Sequence, residues 1–250
     1  MRTALLIVFA VATLWSFAAA ATADVSAGAN PVSADHSERR PDPANVRTDH
    51  ADVLTFIETR ADAAEHGNAV LRRYASALRR DGRSQPSVEL LQEVARPERF
   101  VLIESSETVE PGSDTRRSPN LEELSDVLTA PPDRRSHREF GDSAAANVAA
   151  PGKRATLYVI THVDIGPPDR PRGEAALRRW AVEARQSPGI RSFRIWQQTD
   201  RVNHFNIIAV WNARESFDAF AASPAAREFR QAVGSLLGSL YDERLYKLVE

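Results

Sequence analysis

The chain has 250 residues, 42% of them apolar and 26% charged, enough for one large domain or two of roughly 100 residues each. Its 32 basic and 34 acidic side chains leave a net charge of −2, so no global positive field exists to hold a phosphate backbone and nucleic acid is not an expected partner. The absence of cysteine excludes disulfide frameworks, thiolate zinc sites, iron–sulfur clusters and cysteine nucleophiles.

At the N-terminus, Arg2 precedes an apolar run from Ala4 to Trp15, then alanines and Ala21-Thr22-Ala23 before Asp24. That is the pattern of a charged n-region, an apolar h-region and a small-residue cleavage site. Residues 1–23 are expected to be a signal peptide, and the mature protein to be periplasmic or secreted with no membrane contact. An uncleaved anchor is the competing reading, because Ala4 to Ala20 is uncharged over 17 residues. Small residues at its end and the lack of a basic cluster after it favour cleavage. Residues 24–50 hold scarcely a bulky apolar side chain and are expected to form a disordered leader.

Residues 53–59 then read as a strand and 64–80 as a helix, followed by strands at 88–94 and 100–105. Residues 107–119, with Pro111-Gly112-Ser113-Asp114, read as an inserted loop, and a helix is expected near 121–129. No closing strand is evident for this first half. The alanine-rich stretch 143–152 reads as linker or a weak edge strand. In the second half, residues 156–163 are rich in β-branched and aromatic side chains and stop before Gly166-Pro167-Pro168. Residues 173–186 place Ala176, Leu177, Trp180, Ala181 and Ala184 on one helical face, and Pro188-Gly189 ends that helix. Strands at 192–198 and 204–211 flank a polar turn at Asp200-Arg201-Val202-Asn203. A helical apolar pattern over 216–240 breaks at Ser223-Pro224, and 245–249 supplies a closing strand.

The two halves repeat each other. Ala69 to Ala75 matches Ala175 to Ala181, and Val88 to Phe100 runs without a gap against Phe193 to Phe205, including Gln92 with Gln197 and Arg96 with Arg201. Before them Leu54 to Glu58 aligns with Leu157 to Thr161, and after them His137 to Phe140 with Ala226 to Phe229. The predicted organisation is a degenerate repeat at 51–142, a linker at 143–154 and a second repeat at 155–250. Each repeat is β-α-β-β-α-β, the ferredoxin-like order. Both Tyr158/Ile160 and Leu157/Val159 alternate sets are apolar, so the sheet face away from the helices needs a cover. The expected fold is therefore α+β: two tandem ferredoxin-like repeats forming a pseudo-dimeric α+β barrel, an intramolecular pseudo-dimer.

Ser187-Pro188-Gly189-Ile190-Arg191-Ser192-Phe193, then His204 to Trp211, Glu215-Ser216-Phe217-Asp218-Ala219-Phe220 and Ala222-Ser223-Pro224, resemble the antibiotic biosynthesis monooxygenase family, which orders proline-glycine, strand, turn, strand ending in tryptophan, helix and serine-proline in this way. The resemblance covers 155–250 well and 52–142 more loosely. It implies a dimeric α+β barrel and an activity among cofactor-independent oxygenases of quinols and phenols, heme-degrading enzymes and relatives of unassigned activity. Many quinol-oxygenase-like members carry a histidine where this chain has Phe220 and Val127, and another past serine-proline, where Ala225-Ala226 stand. The heme-degrading pattern falls on Thr161 or His162, Phe220 and Arg230 without an axial histidine, which disfavours that activity.

A cofactor-free oxygenase needs a base, a stabiliser for an oxyanion and a pocket that excludes water. His162 and His204 are the candidate catalytic bases, because imidazole titrates near neutrality. Tyr158, Trp196, Trp211 and Phe220 are candidates to hold a planar ring, and Arg191 or Arg194 to face an oxyanion. Trp180 and Tyr74 lie on core-facing helical stripes, and His137 and His66 read as ordinary surface residues. No phosphate loop, nucleophile elbow, zinc motif or dinucleotide fingerprint occurs, so neither a metal site nor a cofactor is expected. The expected partner is a small aromatic molecule. The reading is an exported, cofactor-independent monooxygenase-like protein acting on quinols or phenols with O2, or alternatively a non-catalytic barrel that binds a small aromatic ligand.

Overall fold

The computed structural model describes residues 51–80, 87–106, 124–141 and 157–249. In chain order these form β1 (Ala51–Glu58), α1 (Ala64–Arg80), β2 (Ser87–Glu93), β3 (Arg99–Ser106), β4 (Asp133–Glu139), β5 (Leu157–Asp164), α2 (Arg170–Arg185), β6 (Ile190–Gln198), β7 (His204–Trp211), α3 (Arg214–Ala221), α4 (Pro224–Gly234) and β8 (Asp242–Val249). The strands close into one barrel in the order β1-β3-β2-β8-β5-β7-β6-β4, each neighbour antiparallel to the next. The chain is thus two tandem ferredoxin-like repeats joined as a pseudo-dimeric α+β barrel.

The two-residue period of the strands explains closure. Tyr158, Ile160, Trp196 and Ile208 of the second repeat meet Leu54, Leu91, Val101 and Ile103 of the first inside the barrel. The alternate residues Val159, Phe193, Ile195, Phe205 and Ile207 face α2, α3 and α4. In the first repeat, Ile57, Leu90, Phe100 and Leu102 pack with Val70, Leu71 and Ala75 of α1. The ladders β2–β8 and β4–β6 join the repeats, so no strand is left with an unpaired edge.

Paired hydrogen bonds record the duplication. Thr59 N–H donates to Glu98 O at 2.9 Å, as Ile165 N–H does to Asn203 O at 2.9 Å. Arg60 N–H donates to Val127 O, as Gly166 N–H does to Leu236 O, each at 2.8 Å. The register corrects the sequence alignment of the first strands. Leu54 pairs with Ile103 as Ile160 pairs with Ile208, so Leu54 corresponds to Ile160 and not to Leu157, which lies on the helix side. Both strand faces are apolar, and hydrophobicity alone could not fix which residue points inward.

Two further expectations change. Residues 137–140 do not correspond to the helix at 226–229. Their strand β4 is the missing closing strand, since Leu54 pairs with Arg135 as Ile160 pairs with Arg244. Asp133 to Glu139 has no apolar side chain, which hid the strand from a hydrophobic pattern. Of the helix expected near 121–129, residues 121–123 lie outside the described residues, and 124–128 form a single helical turn that ends in a bridge between Leu128 and Thr59. Leu124 and Val127 keep helical spacing, but the backbone bonds to Glu58 and Arg60 draw this segment onto the strand end. The expected signal peptide and leader, the expected loop 107–119 and the stretch 143–152 lie outside the described residues.

The motif glycine has a structural role. Gly189 has φ +85°, where an L side chain is strained, and a Cβ there would sit 2.5 Å from Ser216 Oγ and 2.7 Å from Asn212 Oδ1. Ser216 Oγ donates to Asn212 Oδ1 at 2.9 Å, and Asn212 N–H donates to Gly189 O at 2.9 Å. Ser223 caps α4 by accepting from Ala226 N–H at 3.1 Å, with Pro224 in the first turn. Proline-glycine and serine-proline therefore mark turns and caps.

Candidate functional site

Strand parity divides the candidate residues between two sides of one sheet. Trp211 and Phe220 face the helices. Trp211 is 1% exposed, with its ring 5.0 Å from Phe220, and Trp180 stacks on Phe220 at 4.7 Å and on Phe229 at 4.6 Å. This aromatic cluster fills the space between the second sheet and its helices. A groove of about 310 Å³ runs outside it between α2 and α4, over Trp180 and Phe229.

Tyr158, His162 and Trp196 face the barrel interior instead. At the end of the barrel where β5 finishes and β4, β7 and β8 begin lies a cavity of about 240 Å³, lined by Phe56, Ile160, His162, Asn206 and Tyr246 with Asp133, Arg135, Asp242 and Arg244. The ladders build it in rows. His162 is directly opposite Asn206 on one side and Asp242 on the other, and the matching row of the first repeat is Phe56 between Val101 and Asp133. The next row sets Ile160 beside Arg244 and Leu54 beside Arg135. An Asp-x-Arg pair from each repeat thus flanks the cavity, while its polar floor comes from the second repeat alone.

Each arginine is held by its own aspartate. Arg135 Nε and Nη2 donate to Asp133 Oδ2 at 3.0 and 2.5 Å, and its guanidinium lies 5.0 Å from the Phe56 ring centre. Arg244 Nε donates to Asp242 Oδ1 at 2.9 Å, and its Nη1 is 3.5 Å from Glu93 Oε2. His162 Nδ1 lies 3.4 Å from Asn206 Oδ1, and Asn206 Nδ2 lies 2.9 Å from Nε2 of His137 on β4. His204 stands beside His162, ring centres 5.5 Å apart, with Nε2 3.4 Å from Asp164 Oδ1. Burial, and then the Arg135 charge, hold the His162 pKa below the ordinary 6.5, so the ring is neutral at pH 7 and competent to take a proton. Burial also lowers His204, against the opposing pull of Asp164.

The other predicted residues lie deeper or further away. Trp196 is fully buried, 6.0 Å from His137 and under the Arg194 guanidinium at 4.8 Å. Tyr158 donates its hydroxyl to Glu89 Oε1 at 2.7 Å, and burial with that carboxylate raises its pKa, keeping it a phenol. Arg191 sits at the β6 irregularity between Ile190 and Ser192, where its charge acts on Tyr158. Sequence reasoning missed Asn206, Arg135 and Arg244, although Asp133-Arg134-Arg135 and Asp242-Glu243-Arg244 are a repeated pattern. His137 is corrected outright: it is 0% exposed inside the barrel, because β4 turns it inward. Among the described residues, no group of three or more histidines and carboxylates is placed to hold a metal ion.

Burial lowers the His137 pKa from 6.5 to about 4. Its unfolded form takes up a proton near pH 6.5 while the folded form resists until about pH 4, so folding stability is complete above 6.5 and falls as pH drops through that window. The expected loss is roughly 3 kcal/mol by pH 4. Denaturant titrations of the wild type and His137→Gln between pH 7 and pH 4 check it: the variant should lose distinctly less stability on acidification, and equal losses would refute the assignment.

Residues 156–232 match the family model described as antibiotic biosynthesis monooxygenase. No curated protein matches the chain. Among solved structures, a proposed monooxygenase from Fusobacterium nucleatum superposes with TM-score 0.64 at 8% identity, covering 82% of this chain and 94% of its own. An anthrone oxidase-like protein gives 0.60 at 14% identity, covering 82% and 93%. A proposed monooxygenase from Lactobacillus acidophilus gives 0.56 at 11% identity, covering 81% and 95%. At these identities the likeness is one of fold, and it extends over both repeats.

Proposed function

We propose that this protein, whose residues 156–232 match the antibiotic biosynthesis monooxygenase family model, is an exported, cofactor-independent monooxygenase that oxidises a small phenol or quinol with O2 inside the barrel. The observation that carries this reading is the position of His162: a neutral, half-buried imidazole on the wall of a cavity flanked by two guanidinium groups. The cavity of about 240 Å³ suits a ligand of one or two rings. Export follows from the N-terminal signal pattern.

The chemistry asked of these residues is modest. His162 takes the phenolic proton, and Arg135 and Arg244 lower the energy of the resulting oxyanion. For a phenol whose para carbon carries hydrogen, the electron-rich ring reduces O2 by one electron, and the radical pair joins at that para carbon. The hydroperoxide, protonated by the imidazolium, loses water to give a quinone. One oxygen atom enters the product, the other leaves as water, and all four electrons come from the substrate. Phe56, Ile160 and Tyr246 keep bulk water from the reacting carbon.

A second reading, a barrel that binds an aromatic molecule without turnover, is favoured by one observation. Phe220 occupies the second-helix position where related oxygenases carry histidine, and it is packed in the aromatic cluster. Oxygen-electrode measurements on the protein with a panel of one- and two-ring phenols and quinols separate the two. Uptake above background, with quinone appearing in equal amount, supports turnover; ligand-induced quenching of tryptophan fluorescence without uptake refutes it and leaves the binding barrel.

A further inference from the structure

We infer that Asn206 and the first-repeat residue His137 hold His162 in the Nδ1-protonated tautomer, leaving Nε2 without a proton. As a statement about a base, this rests on the function proposed above; as a statement about a proton, it stands on hydrogen-bond chemistry.

His137 is fully buried and neutral, so it carries one ring proton. Its Nε2 is engaged by the Asn206 side chain at 2.9 Å. Its other nitrogen, Nδ1, has no hydrogen-bond partner. The Asn206 group facing Nε2 is the amide NH2, which only donates, so Nε2 is an acceptor and the ring's one proton belongs on Nδ1. That orientation turns Asn206 Oδ1 toward His162 Nδ1, 3.4 Å away. An amide oxygen only accepts, so His162 is obliged to place its proton on Nδ1.

The reverse orientation of the amide would put the proton of each ring on Nε2 and turn Asn206 Nδ2 toward His162 Nδ1, the opposite of the contacts at 2.9 and 3.4 Å. Asn206 is itself 0% exposed, so no solvent competes for either end of its amide. The relay exists once per barrel. The residues at the equivalent positions are Phe56 for His162, Val101 for Asn206 and Tyr246 for His137, which cannot reproduce it. The duplicated half is therefore more than a lid on the second sheet: it supplies the residue that fixes the proton on the other half's base, and His137 and Asn206 act as positioning residues.

The test uses the full chain labelled with 15N-histidine. Long-range 1H–15N correlation spectra at pH 7, assigned with His137→Gln and His162→Gln, report which nitrogen of each ring bears the proton. The expected wild-type result is Nδ1–H for both His162 and His137, with Asn206→Ala shifting His162 toward the Nε2–H form. Nε2–H, or a doubly protonated ring, at His162 in the wild type would overturn the inference whether or not any variant folds. The readout needs no substrate: an Nδ1–H signal without oxygen uptake would count against the proposed activity and leave the relay standing.

Discussion

Replacing His162 with glutamine is expected to lower phenol-dependent oxygen uptake by roughly 10²- to 10⁴-fold, the range for loss of a general base. Glutamine keeps most of the volume and can still donate to Asn206, so the cavity wall survives while the proton acceptor disappears. The effect should fall on kcat more than on KM, because the apolar lining of Phe56 and Ile160, which would hold the ring, is the same in either protein. Wild-type uptake should rise with pH to a plateau. Its midpoint should lie below the ordinary histidine value of 6.5, since burial and the facing Arg135 charge outweigh the Asn206 hydrogen bond and Asp164, which pull His162 the other way. Stopped initial rates over pH 5 to 8 check both statements. Equal uptake in the variant, or a midpoint above 6.5, would move the base elsewhere.

Trp196→Ala is expected to act on stability instead of on ligand binding. Its side chain is 0% exposed, packs between His137 and the Arg194 guanidinium, and belongs to the strand that pairs with β4 to close the barrel. Truncation removes the transfer energy of an indole and leaves a cavity where the two repeats meet, costing about 3–5 kcal/mol. Denaturant unfolding should show a large fall in midpoint. The control is Leu240→Ala, at 90% exposure, which should stay within about 0.5 kcal/mol of wild type. A Trp196→Ala protein as stable as the control would mean that the two sheets are not packed against each other.

The fold was legible where apolar periodicity and duplication coincide. The match of Val88 to Phe100 with Phe193 to Phe205 falls on β2–β3 and β6–β7, and the doubly apolar β5 announces a sheet buried on both faces. It was illegible where the barrel is polar. β4 carries charge on both faces, one turned to the cavity and one to Glu104 through Arg134, so it lacks the signal that marks a strand. The site follows the same division. His162 could be singled out by residue type, and so could Tyr158 and Trp211. Which of them share a space depends on a one-residue parity that a doubly apolar strand conceals. Asn206 and His137 were out of reach because neither has meaning until β4 and β7 place them on either side of one interior.

The proposed ligand site lies within the barrel and is built from both repeats. A crystal structure of the protein with a bound one- or two-ring phenol tests it. The ring is expected against Phe56 and Ile160, its hydroxyl at His162 Nε2 and facing Arg135 or Arg244. A ring seated between α2 and α4 over Trp180 and Phe229, with the barrel interior unchanged, would contradict it.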